Sequence, residues 1–273
     1  QTVTWREVSG VAIAEIDNPP VNALSASVRA GLTAALARAA KRDDIAGLVI
    51  CCAGKSFISG ADITEFSGEE VEPTSQAVMD ALDAMAKPVA AAMHVRALGG
   101  GLEVALACHR RVARPDTVFG FPEVKLGIVP GLGGTQRSPR LVGYGAALDL
   151  IVSGDPIDAG SALKMGLIDA VDDDPVAAAV RMVREDAANG RLVRARELED
   201  HRIAARQAAD LFDAARKTAG RRWPKHDAPL RAIEAVEFGL SAGFDEAIDN
   251  ETRLYAECFD SEESKALISL FFA

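Results

Sequence analysis

Ala97-Leu98-Gly99-Gly100-Gly101-Leu102-Glu103, then Phe119-Gly120-Phe121-Pro122-Glu123, then Pro130-Gly131-Leu132-Gly133-Gly134, is the stretch from which the rest of the chain can be read. Three consecutive glycines cost roughly 0.5–1 kcal/mol each against alanine in a regular element. Such a run makes sense where the backbone must come close to something and offer its own N–H groups. Glu103 follows the run directly, and Glu123 sits beside a second irregularity made by Gly120 and Pro122. The residues alone therefore point to an oxyanion-binding backbone with a pair of acid/base glutamates.

Outward from that stretch, strands and helices alternate. Val3 to Val8 and Val11 to Ile16 are apolar-rich runs around Ser9-Gly10 and read as a hairpin. After Ser25, a fair N-cap, Val28, Leu32, Leu36 and Ala39 share one helical face. Gly47 to Cys52 is a continuous apolar run, the mark of a strand buried on both faces. Strand, helix, strand in this order predicts parallel pairing with crossover helices. Ala53 to Ile63 reads as a loop leading into a helix near Asp62, and Gly68 to Pro73 as an exposed acidic loop. Thr74 caps a helix carrying Val78, Leu82 and Met85 that Lys87-Pro88 stops. Val89 to Met93 is another buried strand, and the glycine run opens a helix over Leu102 to Cys108. Short strands follow at Val112 and Val118-Phe119, and a helical stretch starts at Thr135. Asp158 caps a helix ending at Met165-Gly166, and Leu167 to Val171 is the last clear strand. From Pro175 the pattern is helical, with breaks at Gly190, Gly220, Pro224 and Pro229 and a final helix capped by Ser261. The recurring unit fits an open doubly wound sheet or a spiral of turns. The division drawn is a core over residues 1–190 and a helical region over 191–273.

The totals exclude several function classes. With 273 residues and 49% hydrophobic content the chain can bury a large core, built mainly of Ala, Val, Leu and Ile because aromatics are only 5%. A net charge of -10 argues against nucleic acid or an anionic membrane as main partner, though not against an anionic small ligand. Cys51, Cys52, Cys108 and Cys258 form no C-x-x-C pair and read as reduced thiols of a cytosol-like compartment. No apolar run approaches the ~20 residues of a membrane span, and no signal peptide is visible. The chain begins at Gln1 and not Met, so it reads as trimmed.

Other motifs fail on spacing. Gly54-Lys55-Ser56 lacks the upstream glycine of a P-loop, whose place Val49 takes. Gly99-x-Gly101 and Gly131-x-Gly133 would need a third glycine where Val104 and Gln136 stand, so neither is a dinucleotide fingerprint. There is no H-E-x-x-H, and His94, His109, His201 and His226 lack metal-ligand spacing.

The kept motifs resemble a known family. Ser56-Phe57-Ile58-Ser59-Gly60-Ala61-Asp62-Ile63, Ala97 to Glu103, and Phe119 to Thr135 are similar to the crotonase (enoyl-CoA hydratase/isomerase) superfamily. Pro229 to Val236 and Ser264 to Ala273 look like the hydratase/isomerase half of multifunctional β-oxidation enzymes, in which a dehydrogenase half would follow. The resemblance implies an α/β fold, a spiral of ββα turns with a C-terminal helical region. It implies an acyl-CoA thioester as ligand, coenzyme A as part of the substrate, and no further cofactor or metal. Carried over residue by residue, Ala61 and Gly100 N–H groups would form the oxyanion hole, and Glu103 and Glu123 the acid/base pair. Ser59, Gly60, Ala61, Asp62 and Ile63, with Gly100, would line the substrate and CoA entrance. Phe121 departs from the Gln of many single-domain hydratases and matches the multifunctional type. The family's single-domain members form trimers or hexamers, whereas the multifunctional type can be monomeric. The compartment implied is cytoplasmic, or peroxisomal in a eukaryote.

The chemistry asks for these groups. Adding water to C3 of a 2-enoyl thioester and a proton to C2 builds negative charge on the thioester oxygen, which fixed N–H donors stabilise. The water needs a base and C2 an acid, which two carboxylates in different protonation states supply. The expected activity is hydration of a trans-2-enoyl-CoA to a 3-hydroxyacyl-CoA in fatty-acid β-oxidation. The alternatives are a 3-enoyl to 2-enoyl-CoA isomerase, in which Glu123 could suffice, and a non-catalytic acyl-CoA-binding module.

Overall fold

The computed structural model describes residues 2–62, 65, 71–199, 201, 203 and 205–271. By packing, the chain divides into two compact units. The first comprises Gln1–Phe119 with Asp158–Arg194, the second Gly120–Ile157 with Ala195–Ala273. This partition differs from the one drawn at residue 190, because the segment from Gly120 to Ile157 packs with the later helices.

The first unit is built on strands β1 (Val3–Val8), β2 (Val11–Ile16), β3 (Leu48–Cys52), β4 (Val89–Met93), β6 (Arg110–Ala113) and β9 (Ala170–Val171), in the order β1-β2-β3-β4-β6-β9. The hairpin forms as expected, with Val3 opposite Ile16 and Val8 opposite Val11, and both turn residues, Ser9 and Gly10, have positive φ. Every later pairing is parallel, for example Ile13 with Val49 and Val49 with Ala90. The strictly sequential order decides between the two architectures left open by the sequence. A doubly wound sheet reverses direction at a switch point, whereas here each new strand joins the same growing edge. Between β4 and β6 the chain makes β5 (Arg96–Leu98) and helix α3 (Gly100–Ala107). β5 belongs to a second, three-stranded sheet with β7 (Val118–Gly120) and β8 (Ile157–Asp158), in the order β5-β7-β8. Strand in one sheet, strand in the other, then helix is the ββα turn of a spiral.

The continuous apolar runs that named β3 and β4 are buried on both faces. Val11, Ile13, Val49, Cys51, Ala90, Ala92 and Val112 form one cluster with Ala178, Ala179, Val180 and Val183 of α7 (Pro175–Ala188). Gly47 has no room for a side chain, since a Cβ there would lie 2.3 Å from the Pro88 carbonyl oxygen. Helix α1 (Ala26–Lys41) buries Val28, Leu32, Leu36 and Ala39 on the expected face. Helix α2 (Ser75–Asp83) is capped by Thr74, whose side chain accepts from the Ala77 N–H, but it ends before Met85 and Lys87. After Asp62 the Glu65 N–H donates to the Asp62 carbonyl at 3.0 Å, and the rest of the helix expected there falls outside the described residues. Ile63 and the acidic residues Glu69 and Glu70 lie outside the described residues. Helix α6 (Ala159–Met165) is capped by Asp158 as read from the sequence.

The second unit is helical: α4 (Gly134–Val142), α5 (Tyr144–Ser153), α8 (Ala205–Arg222), α9 (Ala228–Ser241), α10 (Phe244–Phe259) and α11 (Glu262–Phe271), with a short 3-10 helix over Pro122–Leu126. Gly220 and Pro229 do not break helices as expected. Gly220 sits inside α8 with open space around it, and Pro229 is tolerated in the first turn of α9. Ser261 caps α11 through its Oγ, which accepts from Ser264 N–H at 3.1 Å. Among the described residues no helix is long and apolar enough to cross a membrane.

Candidate functional site

Helix α3 carries the first candidate cluster. All eight of its residues are buried. A helix apolar all round belongs in a core, yet Glu103 lies on its first turn and is only 2% exposed. Burying a carboxylate is expensive, and the positive end of the helix offsets part of that. The Glu103 N–H closes the first turn on the Gly99 carbonyl at 3.0 Å. Gly99 is the N-cap, at φ 51 and ψ -129, a conformation open in practice to glycine alone. The helix thus starts at Gly100, two residues earlier than the sequence suggested. As first residue, Gly100 has an N–H with no acceptor inside the helix.

The loop carrying Ser59, Gly60 and Ala61 lies against this helix start. A Cβ on Gly101 would sit 2.0 Å from the Ile58 carbonyl oxygen, and one on Gly60 3.9 Å from the Leu98 carbonyl oxygen. Gly101 is therefore what lets the two backbones touch. Ala61 makes a parallel bridge with Leu24, and the Leu24 N–H donates to the Gly60 carbonyl at 3.0 Å. In a parallel bridge one residue bonds through its own backbone groups and the other through those of its two neighbours; here Leu24 is the former, since its own N–H reaches Gly60, and Ala61 the latter. The Ala61 N–H consequently points away from Leu24. Gly60 has φ +127 and Gly99 has φ +51, so each candidate donor directly follows a glycine in a positive-φ conformation. Ser59 Oγ lies 3.0 Å from Ser56 Oγ, and Asp62 is half-buried after Ala61. The structure so brings together Ser59, Gly60, Ala61, Gly100 and Glu103. Ile63 is outside the described residues.

Glu123 belongs to the second unit. Pro122 starts its 3-10 helix with the φ that a helix needs, and Glu123 is buried at 9% exposure. Gly127, at φ +71, ends the helix, its N–H bonding to the Glu123 and Val124 carbonyls. A Cβ on Gly127 would be 3.0 Å from Ser264 Cα, so α11 rests on this turn. Lys125 pairs at the surface with Asp155, 2.8 Å away. The Gly131–Gly134 turn is locked from α10. Fully buried Glu251 accepts from Gly133 N–H at 2.6 Å, from Thr135 N–H at 2.9 Å and from the Thr135 hydroxyl. The N-cap of α4, Gly133, has no side chain, and Glu251 supplies the missing acceptor.

The profile of the enoyl-CoA hydratase/isomerase family matches residues 6–217. The chain belongs to this family. The glyoxysomal fatty acid beta-oxidation multifunctional protein MFP-a of Cucumis sativus is 36% identical over 285 residues, covering 100% of this chain and 39% of that protein. The peroxisomal bifunctional enzyme of Danio rerio is 39% identical over 264 residues, covering 96% of this chain and 36% of that protein. The chain thus spans less than two fifths of the length of these relatives. Among solved structures, an enoyl-CoA hydratase/isomerase from Pseudoalteromonas atlantica T6c superposes with a TM-score of 0.74 at 24% identity, over 100% of this chain and 97% of that one. The likeness carries the fold, a crotonase-type α/β spiral with C-terminal helices.

Family membership was legible in the motifs, but two supporting residues were not picked out. Asn22 and Glu251 are buried polar side chains that hold loops from 31 and 118 residues away. The signal available for Asn22 was its place in Asn18-Pro19-Pro20-Val21-Asn22, a turn-rich stretch following a buried strand. Glu251 had none, being one acidic residue on a highly charged helix.

Proposed function

We propose that this domain hydrates a trans-2-enoyl-CoA, and that the Ala61 and Gly100 amides hold the thioester oxygen while Glu103 and Glu123 move the protons. The observation that carries the reading is the seating of residues 58–61 on the start of α3. Two amides that each follow a positive-φ glycine lie on touching backbones, and a buried carboxylate follows within one helical turn. Negative charge growing on a thioester oxygen is what such donors stabilise; losing one typically costs ~2.7–4 kcal/mol. In this reading Glu103 orients and activates the water that attacks C3, and Glu123 protonates C2. The protein needs no cofactor beyond the CoA of its substrate, and Ser59 to Ile63 line the approach of that CoA.

The relatives named above are multifunctional and bifunctional enzymes of glyoxysomes and peroxisomes, so the setting we propose is fatty-acid β-oxidation. The family description joins hydratase and isomerase, and a 3-enoyl to 2-enoyl shift of a proton between C2 and C4 is the second reading, since it needs Glu123 only. Loss of enoyl-thioester absorbance is followed with wild type, Glu103→Gln and Glu123→Gln, and 3-enoyl-CoA conversion in parallel. Each variant is expected to lose about 10²–10⁴ in hydration rate. Full hydration in either variant rejects the roles. Isomerisation that survives only in Glu103→Gln favours the second reading, and CoA-ester binding without any turnover leaves a binding module.

A further inference from the structure

We propose that Asn22 is a positioning residue for the oxyanion site, its carboxamide setting the loop that presents the Ala61 N–H; this rests on the reading of Ala61 and Gly100 given above. Asn22 is 3% exposed and has φ +52, a left-handed conformation that asparagine accepts more readily than most residues. Its Nδ2 donates to two carbonyls of the loop, Ala53 at 2.8 Å and Ser56 at 2.7 Å. Its Oδ1 accepts from Asn18 N–H at 2.8 Å, and its own N–H donates back to the Asn18 carbonyl at 2.8 Å. The side chain is therefore fixed from its own turn and fixes the far loop with both amide hydrogens.

The residues flanking Asn22 complete the hold. The Val21 carbonyl accepts from Ser59 N–H at 3.3 Å, and Leu24 N–H donates to the Gly60 carbonyl at 3.0 Å while Leu24 bridges to Ala61. Residues 21 to 24 thus grip 53, 56, 59, 60 and 61 in sequence, with the planar carboxamide at the centre. On its other side the same loop meets α3 through Ile58 and Gly101. Asn22 sets one face of the loop as α3 sets the other, and the position of the Ala61 amide relative to Gly100 is what remains. Aspartate has the shape but no donors when ionised, and glutamine is a methylene too long.

The test uses Asn22→Gly, which keeps the left-handed backbone and removes only the carboxamide. Hexanoyl-CoA carrying ¹³C at the thioester carbonyl binds without turnover and reports, by difference infrared spectroscopy, how strongly the carbonyl is polarised. Wild type is expected to lower the carbonyl stretching frequency on binding. In Asn22→Gly the frequency should move back toward that of free hexanoyl-CoA. The kcat for trans-2-hexenoyl-CoA should fall about 10- to 100-fold, more than KM rises. If Asn22→Gly does not fold, Asn22→Ser, which keeps one donor, carries the same comparison with intermediate values expected. A folded variant with the wild-type carbonyl frequency and kcat, even one of lower stability, overturns the role of Asn22 alone. Absence of any lowering in wild type refutes the oxyanion reading itself, and this proposal with it.

Discussion

Gly101→Ala tests the contact on which the candidate site is built, and its two effects oppose each other. Alanine in place of glycine inside a helix is worth about 1 kcal/mol of helix propensity. Here the added Cβ would meet the Ile58 carbonyl oxygen at 2.0 Å, the Ile58 carbonyl carbon at 2.6 Å and Ile58 Cβ at 2.9 Å. Reaching even 3.0 Å, the closest separation real Cβ atoms tolerate, requires the oxygen to retreat by 1.0 Å. The obstacle is backbone, and Ile58 is fully buried, so no flexible side-chain end can swing away. Overpacking of this kind costs about 1–3 kcal/mol, which outweighs the propensity gain. The retreat also carries Ala61, three residues on, away from Gly100. A displacement of about 1 Å at a reacting group costs on the order of 10²-fold in rate. The expected result is a variant with a lowered urea midpoint and kcat/KM down about 10²-fold, read from the loss of enoyl-thioester absorbance. Gly220→Ala is the control. It lies inside α8 with nothing within 4 Å, so it should raise stability by about 0.5–1 kcal/mol and leave the rate unchanged. A Gly101→Ala protein that behaved like Gly220→Ala would refute the seating of residues 58–61 on α3.

Two further outcomes follow from buried groups. Glu251→Gln replaces a charge-assisted acceptor for Gly133 N–H, Thr135 N–H and the Thr135 hydroxyl, and should cost about 2 kcal/mol in urea unfolding; an unchanged midpoint would mean the α4 start does not depend on it. Burial holds His109 down to about 4 from 6.5, helped by the Arg194 and Arg111 charges and opposed by Asp186. It folds neutral, with Nδ1 accepting from Val89 N–H at 3.1 Å. A base with a depressed folded pKa binds fewer protons folded than unfolded. Its contribution is therefore complete above pH 6.5 and is lost as pH falls toward 4, on the order of 3 kcal/mol in all. Unfolding titrations of wild type and His109→Gln should converge across that window; parallel curves would contradict a neutral buried imidazole.

What could be read from the residues beforehand follows a physical line. Leu48–Cys52 and Val89–Met93 were legible because a strand covered on both faces has no polar alternation to confuse it. The caps Thr74 and Asp158 were legible because a side chain three residues from its donor is a local interaction. Helix α5 was missed. It starts at Tyr144 behind Gly143, with neither a capping side chain nor an acidic first turn to announce it. Leu167 and Ile168 are buried without joining a strand, which begins only at Ala170. In the site, the glycines and Glu103 were visible as expensive residues in a short window. The geometry they require was not, because Gly101 is small for the sake of Ile58, and Asn22 and Glu251 work across long separations in the chain.

The clasp made by Glu251 also bears on how the protein is born. Gly133 and its acceptor are 118 residues apart, so during synthesis the earlier loop leaves the ribosome long before the carboxylate that closes it exists. At about 5–20 residues per second, several seconds pass with those amides served by water alone. The spiral strands up to β6 can assemble meanwhile, since each needs only the one laid down before it. The loop after Glu123 must wait, and the order of translation makes it the late-setting joint of its unit.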